Sequence, residues 1–516
     1  MKTITGATSV AEILKRYPRA RQIFDQHGLQ GCGGREGPAE SLDSFARVHQ
    51  IDLDELLREL NAAATVSSAT PYQYQETLAD YIYRRFFKAG IAIVLSVGGL
   101  WGVINLFQIE FAKSLLLPQL LSAIHAHAHA MVFGWVGLFV MGFAYQSFPR
   151  FKHTTLWQPE LANLSFFLML FGIAARVAAE MLQPRHSALA FGLLSATAEL
   201  AAIGILLLVI FQTARGSVQP RSPYEKFIFA ALLWFLIQAV FSEVFFMATA
   251  TATTETELVQ RIALLDAPLR DMQFLGFAAM MIAGVSLRFI PVVYGLAAPA
   301  RDRRNLIFVL MNMSLLLEVG MYLGLFLTGN PAYAIGLELS YMLIFSWAGL
   351  LVSQLKVFTK AMEPDRSWKF IRAAYTWLLV GTAMLPLSVL YLRWTGQVFS
   401  HAYAGAQLHA LAVGFVSLMI VGIASRVVPI LSGVDSKQLS SLWGPFILLN
   451  VGCVGRVTLQ ILTDFRPQLA FSLIGITGLL ELAGLAWWGV GIWRVMNLAK
   501  KHRRNLLRAP MPLAAK

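Results

Sequence analysis

From about residue 88 to residue 497 the chain carries one apolar stretch of eighteen or more residues after another. Each is long enough to cross the roughly 30 Å hydrocarbon core of a bilayer as a helix. The expected fold is therefore all-α and polytopic, with twelve spans near residues 88–108, 119–148, 160–182, 188–213, 226–249, 269–293, 305–328, 333–357, 370–394, 403–430, 441–463 and 468–497. Spans 2 and 10 run long, which tilt or projection from the membrane absorbs. A composition of 57% hydrophobic and 14% charged residues excludes an ordinary soluble globule.

The placement of charge gives the orientation. Basic residues gather between alternate spans: Arg84, Arg85 and Lys88; Arg150 and Lys152; Arg215, Arg221 and Lys226; Arg301, Arg303 and Arg304; Lys356, Lys360, Arg366 and Lys369; and Lys500 to Arg508. The other connections are nearly free of Lys and Arg. This pattern predicts both termini in the cytoplasm, and the expected location is an inner membrane. The net charge of +13 is thus topogenic, and nucleic acid is not an expected partner.

The first 80 residues hold charge at ordinary soluble density and predict a small helical cytosolic domain with its linker, residues 1–75, ahead of a membrane domain at 76–516. Lys2 is not followed by an apolar core, so no secretory signal is read. Ser9-Val-Ala-Glu12 is a capping-box pattern and predicts a helix over residues 10–27; Gly28 to Pro38, with five glycines, predicts a loop; Leu42 to Ala63 predicts two short helices, and residues 64–75 a linker. Two cysteines, Cys32 and Cys453, are too few for a disulfide framework or a thiolate cluster.

An internal repeat organises the membrane part. Spans 2, 6 and 10 share Gly-aromatic, six residues, Gly, six residues, Pro: Gly134-Trp135, Gly142, Pro149; Gly276-Phe277, Gly284, Pro291; and Gly414-Phe415, Gly422, Pro429. The period is 138 to 142 residues, and Arg176, Glu318 and Arg456 each follow the first glycine by 42. One span later come Glu199, Glu338 and Glu481, each followed by leucine. Equal spacing in three copies implies three four-helix units.

Five of the ten histidines begin span 2 or span 10: His125, His127, His129, His401 and His409. A lone membrane histidine is as often an interfacial hydrogen-bonder, but ionisable groups inside a bilayer usually face a cavity or a partner. His125 and His129 lie about 400° apart around a helix and share a face, whereas His127 points about 200° away. His129 and His409 both sit five residues before their Gly-aromatic pair, where the middle copy has Asp271. Imidazoles from two helices are the usual axial clamp for heme iron. Among the acids, Glu243 in span 5 breaks the repeat and is the proton-path candidate, whereas Glu199, Glu338 and Glu481 read first as partners of interhelical hydrogen bonds or of Arg176 and Arg456.

His127-Ala-His-Ala-Met-Val-Phe-Gly-Trp and His409-Ala-Leu-Ala-Val-Gly-Phe-Val resemble the second- and tenth-helix motifs of subunit I of the cbb-type heme-copper oxidases, whose histidines bind low-spin heme. Where those enzymes hold a high-spin heme histidine this chain has Gln407, and it has none of their copper-ligating histidines in spans 6 and 7. A closer resemblance is to the NnrS family, heme- and copper-associated membrane proteins linked to nitric oxide tolerance. It is carried by His127-Ala-His129 through Phe133-Gly134, by His409-Ala-Leu-Ala-Val-Gly with Arg426 downstream, and by Arg288-Phe-Ile-Pro291. The N-terminal segment Ile23-Phe-Asp-Gln-His-Gly-Leu-Gln-Gly-Cys32-Gly-Gly, with Leu56 to Asn61, resembles the small domain that precedes di-iron proteins repairing nitrosatively damaged iron-sulfur centres, with Gly31 in place of the first of its paired cysteines.

The resemblance implies heme b, held chiefly by His127 and His409, in a protein of the nitric oxide response, with membrane lipid around it and nitric oxide as a ligand. His129, with His125 beside it, is the position for copper or a second heme, and His401 is a further metal candidate; histidine suits either metal. Cys32, in its glycine-rich loop, is read as an accessible thiol or as part of a docking domain. Two other classes stay open at this stage: a heme-dependent oxidoreductase acting on nitric oxide or oxygen, and a transporter of metals or small molecules. The sequence names no electron donor.

Overall fold

A computed structural model describes residues 3–29, 32–65, 76–112, 118–182 and 185–508. The expected linker falls mainly outside these residues, as does Gly31. Among the described residues there is helix and no strand, apart from a single bridge between Ser9 and Ser41. Twelve helices are long and apolar enough to cross a membrane: Leu78–Phe111, Leu120–Phe151, Pro159–Met181, His186–Arg215, Glu225–Ala250, Glu255–Tyr294, Arg301–Thr328, Ala332–Leu355, Trp368–Thr395, His401–Leu431, Trp443–Leu462 and Pro467–Leu498. They are spans 1 to 12, and the chain is a multi-pass membrane protein.

Ten spans begin within a few residues of the expected positions. Span 1 starts ten residues earlier, at Leu78, because a basic amphipathic turn continues the helix out of the apolar zone. Span 6 starts fourteen residues earlier, at Glu255, because a polar helix capped by Thr254 runs unbroken into it.

Spans 2, 6 and 10 form the inner ring. In their most apolar windows 78, 89 and 67% of residues are buried, against at most 50% in any other span, which leaves the outer spans facing lipid. The repeat glycines explain the packing. A Cβ on Gly142 would lie 2.6 Å from Phe86 Cβ, one on Gly284 2.9 Å from Phe227 Cβ, and one on Gly422 3.2 Å from Phe370 Cβ. Each unit thus presses its first span onto its second where the side chain is missing, the small-residue approach that drives helix association in lipid.

The repeat has a backbone signature the sequence did not announce. Ala130–Gly137, Met272–Ala279 and Ala410–Ser417 are π-helical, each beginning directly after His129, Asp271 or His409. A π turn carries an extra residue and disturbs the regular backbone ladder. In span 10 the Ser417 hydroxyl donates to Ala412 O at 2.9 Å and accepts from Trp135 Nε1 of span 2 at 3.0 Å. A fourth π segment, Val94–Gly98, kinks span 1 at Ser96 (φ −126°, ψ −107°).

The N-terminal domain comprises α1 (Val10–Arg16), α2 (Ala20–Gln26), α3 (Leu42–His49) and α4 (Leu53–Thr65). The single helix expected over 10–27 is broken at Tyr17-Pro18, since proline lacks the amide hydrogen that would continue the ladder. Ser9 caps α1 through Glu12 N at 3.1 Å, while the Glu12 carboxylate turns to Arg16 instead of completing the box.

This domain docks across the ends of all three inner spans. His153 Nε2 donates to His49 O (3.1 Å), Arg288 Nη2 to Val48 O (2.7 Å), and Cys32 Sγ faces Ile430 O (3.9 Å). Arg47 pairs with Glu363 at 2.8 Å. The apolar residues of the domain and of the bundle form one continuous cluster.

Candidate functional site

Seven residues into span 2, about 10 Å along the helix from its start, His127 turns toward span 1. Its Nδ1 lies 2.8 Å from Gly98 O, and a Cβ on Gly102 would lie 2.6 Å from its Cε1. The π segment ending at Gly98 and the bare backbone at Gly102 therefore shape the wall against which the ring rests. The carbonyl also fixes the tautomer: Nδ1 carries the proton and donates, and Nε2 keeps its lone pair. His409 repeats the arrangement, with Nδ1 2.8 Å from Gly405 O one turn earlier in span 10. The two rings lie within electrostatic range of one another.

Repeat geometry rationalises the pairing. His409 occupies the position just before its π segment, and His127 stands two residues before the equivalent position in the next unit round the ring, that of His129. At the other two seams the corresponding pairs are His129 with Leu269 and Asp271 with Gln407. Only the seam between the third and first units offers two imidazoles.

Buried polar atoms without partners stand on the same seam, farther from the N-terminal domain. Neither side-chain atom of Asn105, one turn beyond Gly102, has a hydrogen bond, and neither does Gln460 Oε1 or Arg456 Nε in span 11. Gln460 packs on Gly405 so closely that a Cβ there would collide with its amide. Such orphans are costly in an apolar interior, and they suit a guest that is flat, apolar and polar-edged, as heme with its two carboxylates is. Two anchored imidazoles and unsatisfied polar atoms at one edge thus fit heme.

His129 and His125 face elsewhere. His129 is buried, stacks on Phe133 at 4.3 Å, and its Nε2 lies 2.8 Å from Glu199 Oε1, which also accepts from Ser195 at 3.3 Å. His125 meets the edge of Phe245 (5.1 Å) and lines a small polar pocket with His129, Arg176, Glu180, Arg270 and Gln273. His401 is exposed at the start of span 10, against Phe399. Among the described residues no three His, Cys, Asp or Glu side chains are grouped to hold a metal ion. One nitrogen of His129 is held by Glu199, and the guanidiniums of Arg176 and Arg270 share the lining of the His125–His129 pocket.

The remaining residues singled out in the sequence have packing partners. Gln407 is buried, and its amide donates to Gly381 O at 3.3 Å. Glu243 is the ion-pair partner of Arg176, which also lies over the Phe246 ring at 4.1 Å. Arg176 therefore pairs with Glu243 and not with Glu199, whose partner is His129. Arg456 and Glu481 lie within electrostatic range of each other, and Arg456 Nε and Glu481 Oε1 each lack a hydrogen-bond partner. Arg426 pairs with Asp365 at 3.1 Å, and Arg288 belongs to the docking interface. Cys32 is buried there, and burial pushes its thiol up to about 12, so the accessible thiol of the sequence reading is replaced by a shielded one.

Sequence reasoning missed Gly98, Gly102 and Gly405, which hold the histidines by backbone and by close approach. The Gly98-x-x-x-Gly102 spacing, a small-residue contact face, was the signal available for the first two.

The family pattern described as NnrS protein matches residues 77–500, and the one described as a domain of unknown function (DUF1858) matches residues 4–57. None of the curated proteins compared matches the chain.

Proposed function

The chain belongs to the NnrS protein family, and on that premise we propose that it is a heme-binding integral membrane protein of the nitric oxide response, with heme b held between His127 and His409. The observation that carries this reading is the paired anchoring of the two imidazoles, each with Nδ1 on a backbone carbonyl and Nε2 left as a lone-pair donor. Gly98 O and Gly405 O hold the rings in orientation, and Gly102 leaves the room one of them needs. Asn105 and Gln460 supply neutral hydrogen-bonding groups for carboxylates at the far edge, with Arg456 as the nearby cation. Bound heme supplies a redox-active iron able to take nitric oxide where a coordination position is open.

The loops rich in Lys and Arg support an inner-membrane location with both termini in the cytoplasm. The docked N-terminal domain, residues 1–75 with its linker, would then cover the cytoplasmic face of the membrane domain at 76–516, and the histidine pair would lie toward the opposite side.

The test is a reduced-minus-oxidised optical spectrum of the purified full-length chain with iron and copper analysis. A b-type spectrum is expected in the wild type, with its loss or severe reduction in His409→Ala and His127→Ala while His129→Ala and His401→Ala retain it. Full heme occupancy in His409→Ala would overturn the assignment.

A further inference from the structure

The three ionisable positions of the repeat carry a base in two units and none in the third. The first unit has His129, Arg176 and Glu199, and the last has His409, Arg456 and Glu481. The middle unit has Asp271, Glu318 and Glu338. At equivalent places in one architecture, imidazole and guanidinium have both been replaced by carboxyl groups.

The consequence is visible in the hydrogen bonding. In the first unit the buried Glu199 meets donors, His129 and Ser195, and Arg176 of that unit reaches across to Glu243 in the first span of the middle unit. In the middle unit Glu318 is completely buried, and neither of its carboxyl oxygens receives a hydrogen bond. Asp271, another carboxyl, stands opposite it, because spans 6 and 7 meet on either side of the pair: a Cβ on Gly276 would lie 2.8 Å from Leu315 Cδ2, and Tyr322 reaches Ala263 O. Glu338 on span 8 also has a buried oxygen without a donor.

Spans 6, 7 and 8 surround the pair with further acids and phenols, while spans 5 and 10 bring the neutral amides Gln238 and Gln407 to this level. Asp266 stands on the same helix, Tyr322 on span 7, and Glu338 and Tyr341 on span 8. The Tyr322 hydroxyl donates a hydrogen bond to Ala263 O at 2.7 Å and so is not directed at the pair. Arg270, adjacent to Asp271 in sequence, turns away to Asp266 at 3.1 Å and Gln273 at 3.2 Å.

Two ionised carboxylates in contact inside a bilayer would repel strongly and each would lack a donor. One proton removes both problems, because a protonated carboxyl donates to its ionised neighbour. A metal ion is a poorer occupant. Hard cations such as calcium want six to eight oxygens, and no metal-holding group exists among the described residues.

Access is provided by the helix itself. Span 6 continues as the polar helix Glu255–Asp271, and Asp266, with 37% of its side chain exposed, lies about a turn and a half nearer the face away from the N-terminal domain. We propose that Asp271 and Glu318 bind one exchangeable proton between them, which makes the middle unit a proton-binding site within the membrane part of the chain, independent of the histidine seam.

The experiment uses the full chain in detergent at neutral pH, with infrared spectroscopy and an apolar carbodiimide that adds only to protonated carboxyls. The expected wild-type result is a carboxylic-acid carbonyl band that shifts in deuterated water, and a carbodiimide adduct on the peptide carrying Asp271 or Glu318. Asp271→Asn with Glu318→Gln should remove both. So should Asp271→His with Glu318→Arg, which restores the residue types of the other two units and so guards against a folding failure. Should neither variant fold, the wild-type adduct and the deuterium shift still decide. Absence of the adduct, a band indifferent to deuterium, or a band that survives in a folded double variant would overturn the proposal. Protection of the pair from the carbodiimide by sodium would do so as well, in favour of a metal cation.

Discussion

Substituting Gly433 by leucine should unseal the interface between the N-terminal domain and the bundle, and Cys32 reports the event. Gly433 follows span 10 with φ +67°, a left-handed conformation in which a side chain is itself unfavourable by about 1–2 kcal/mol. A Cβ there would stand 2.9 Å from Gly33 O, in the loop that carries Cys32. Leucine must therefore displace that loop. In the docked state burial holds the Cys32 thiol at about 12, against 9.0 for a free cysteine. At pH 8 that shift lowers the thiolate population by about a thousandfold, and only the thiolate reacts with alkylating reagents. The intact wild type should therefore label at Cys32 at least about a hundredfold more slowly than the denatured chain, with Gly433→Leu recovering most of the difference. Peptide mass spectrometry separates Cys32 from Cys453, and unchanged optical and chromatographic properties of the bundle serve as the control. Labelling of native Cys32 at the denatured rate would refute the reasoning, because it would mean that the interface excludes neither water nor reagent.

Gly102→Val should displace His127, whose ring occupies the space of the new side chain, and cost most of the heme signal without loss of expression; a normal spectrum would count against the proposed ligand. Arg176→Met should destabilise the bundle by about 3–5 kcal/mol through the uncompensated Glu243, and the double change with Glu243→Met should recover most of it, measured by thermal inactivation of the purified chain. Deleting residues 1–70 should lower the thermal midpoint by exposing the ends of spans 2, 6 and 10, yet leave heme bound, since the histidine seam lies toward the other end. Purified, heme-replete protein should not reduce oxygen with artificial donors, because neutral Gln407 is bonded to Gly381 O and is a poor iron ligand; turnover-level, azide-sensitive oxygen consumption would contradict this.

Much of the architecture was written along the chain. Twelve spans follow from the length of apolar sequence a bilayer demands, and the threefold division follows from glycines, prolines and polar residues recurring at one period. The opposite facing of His127 and His129 follows from the helical repeat alone. The break at Pro18 was missed by the reading of one helix over residues 10–27, although a missing amide hydrogen is a local fact that the sequence carries. What each side chain meets was not legible. His127 finds Gly98 O because span 1 kinks there, His129 finds Glu199, and Arg176 finds Glu243 in a different unit. Cys32 lies shielded because a domain from the start of the chain lands on the ends of helices more than a hundred and hundreds of residues away. The π turns after His129, Asp271 and His409 each contain the Gly-aromatic pair of the repeat, yet that pair alone does not distinguish a π turn from an α turn. Apolar length and period are properties of a single segment, whereas partners are set where segments meet: a rotation of about 100° or a rise of about 1.5 Å exchanges one neighbour for the next, and only the packed tertiary structure fixes both.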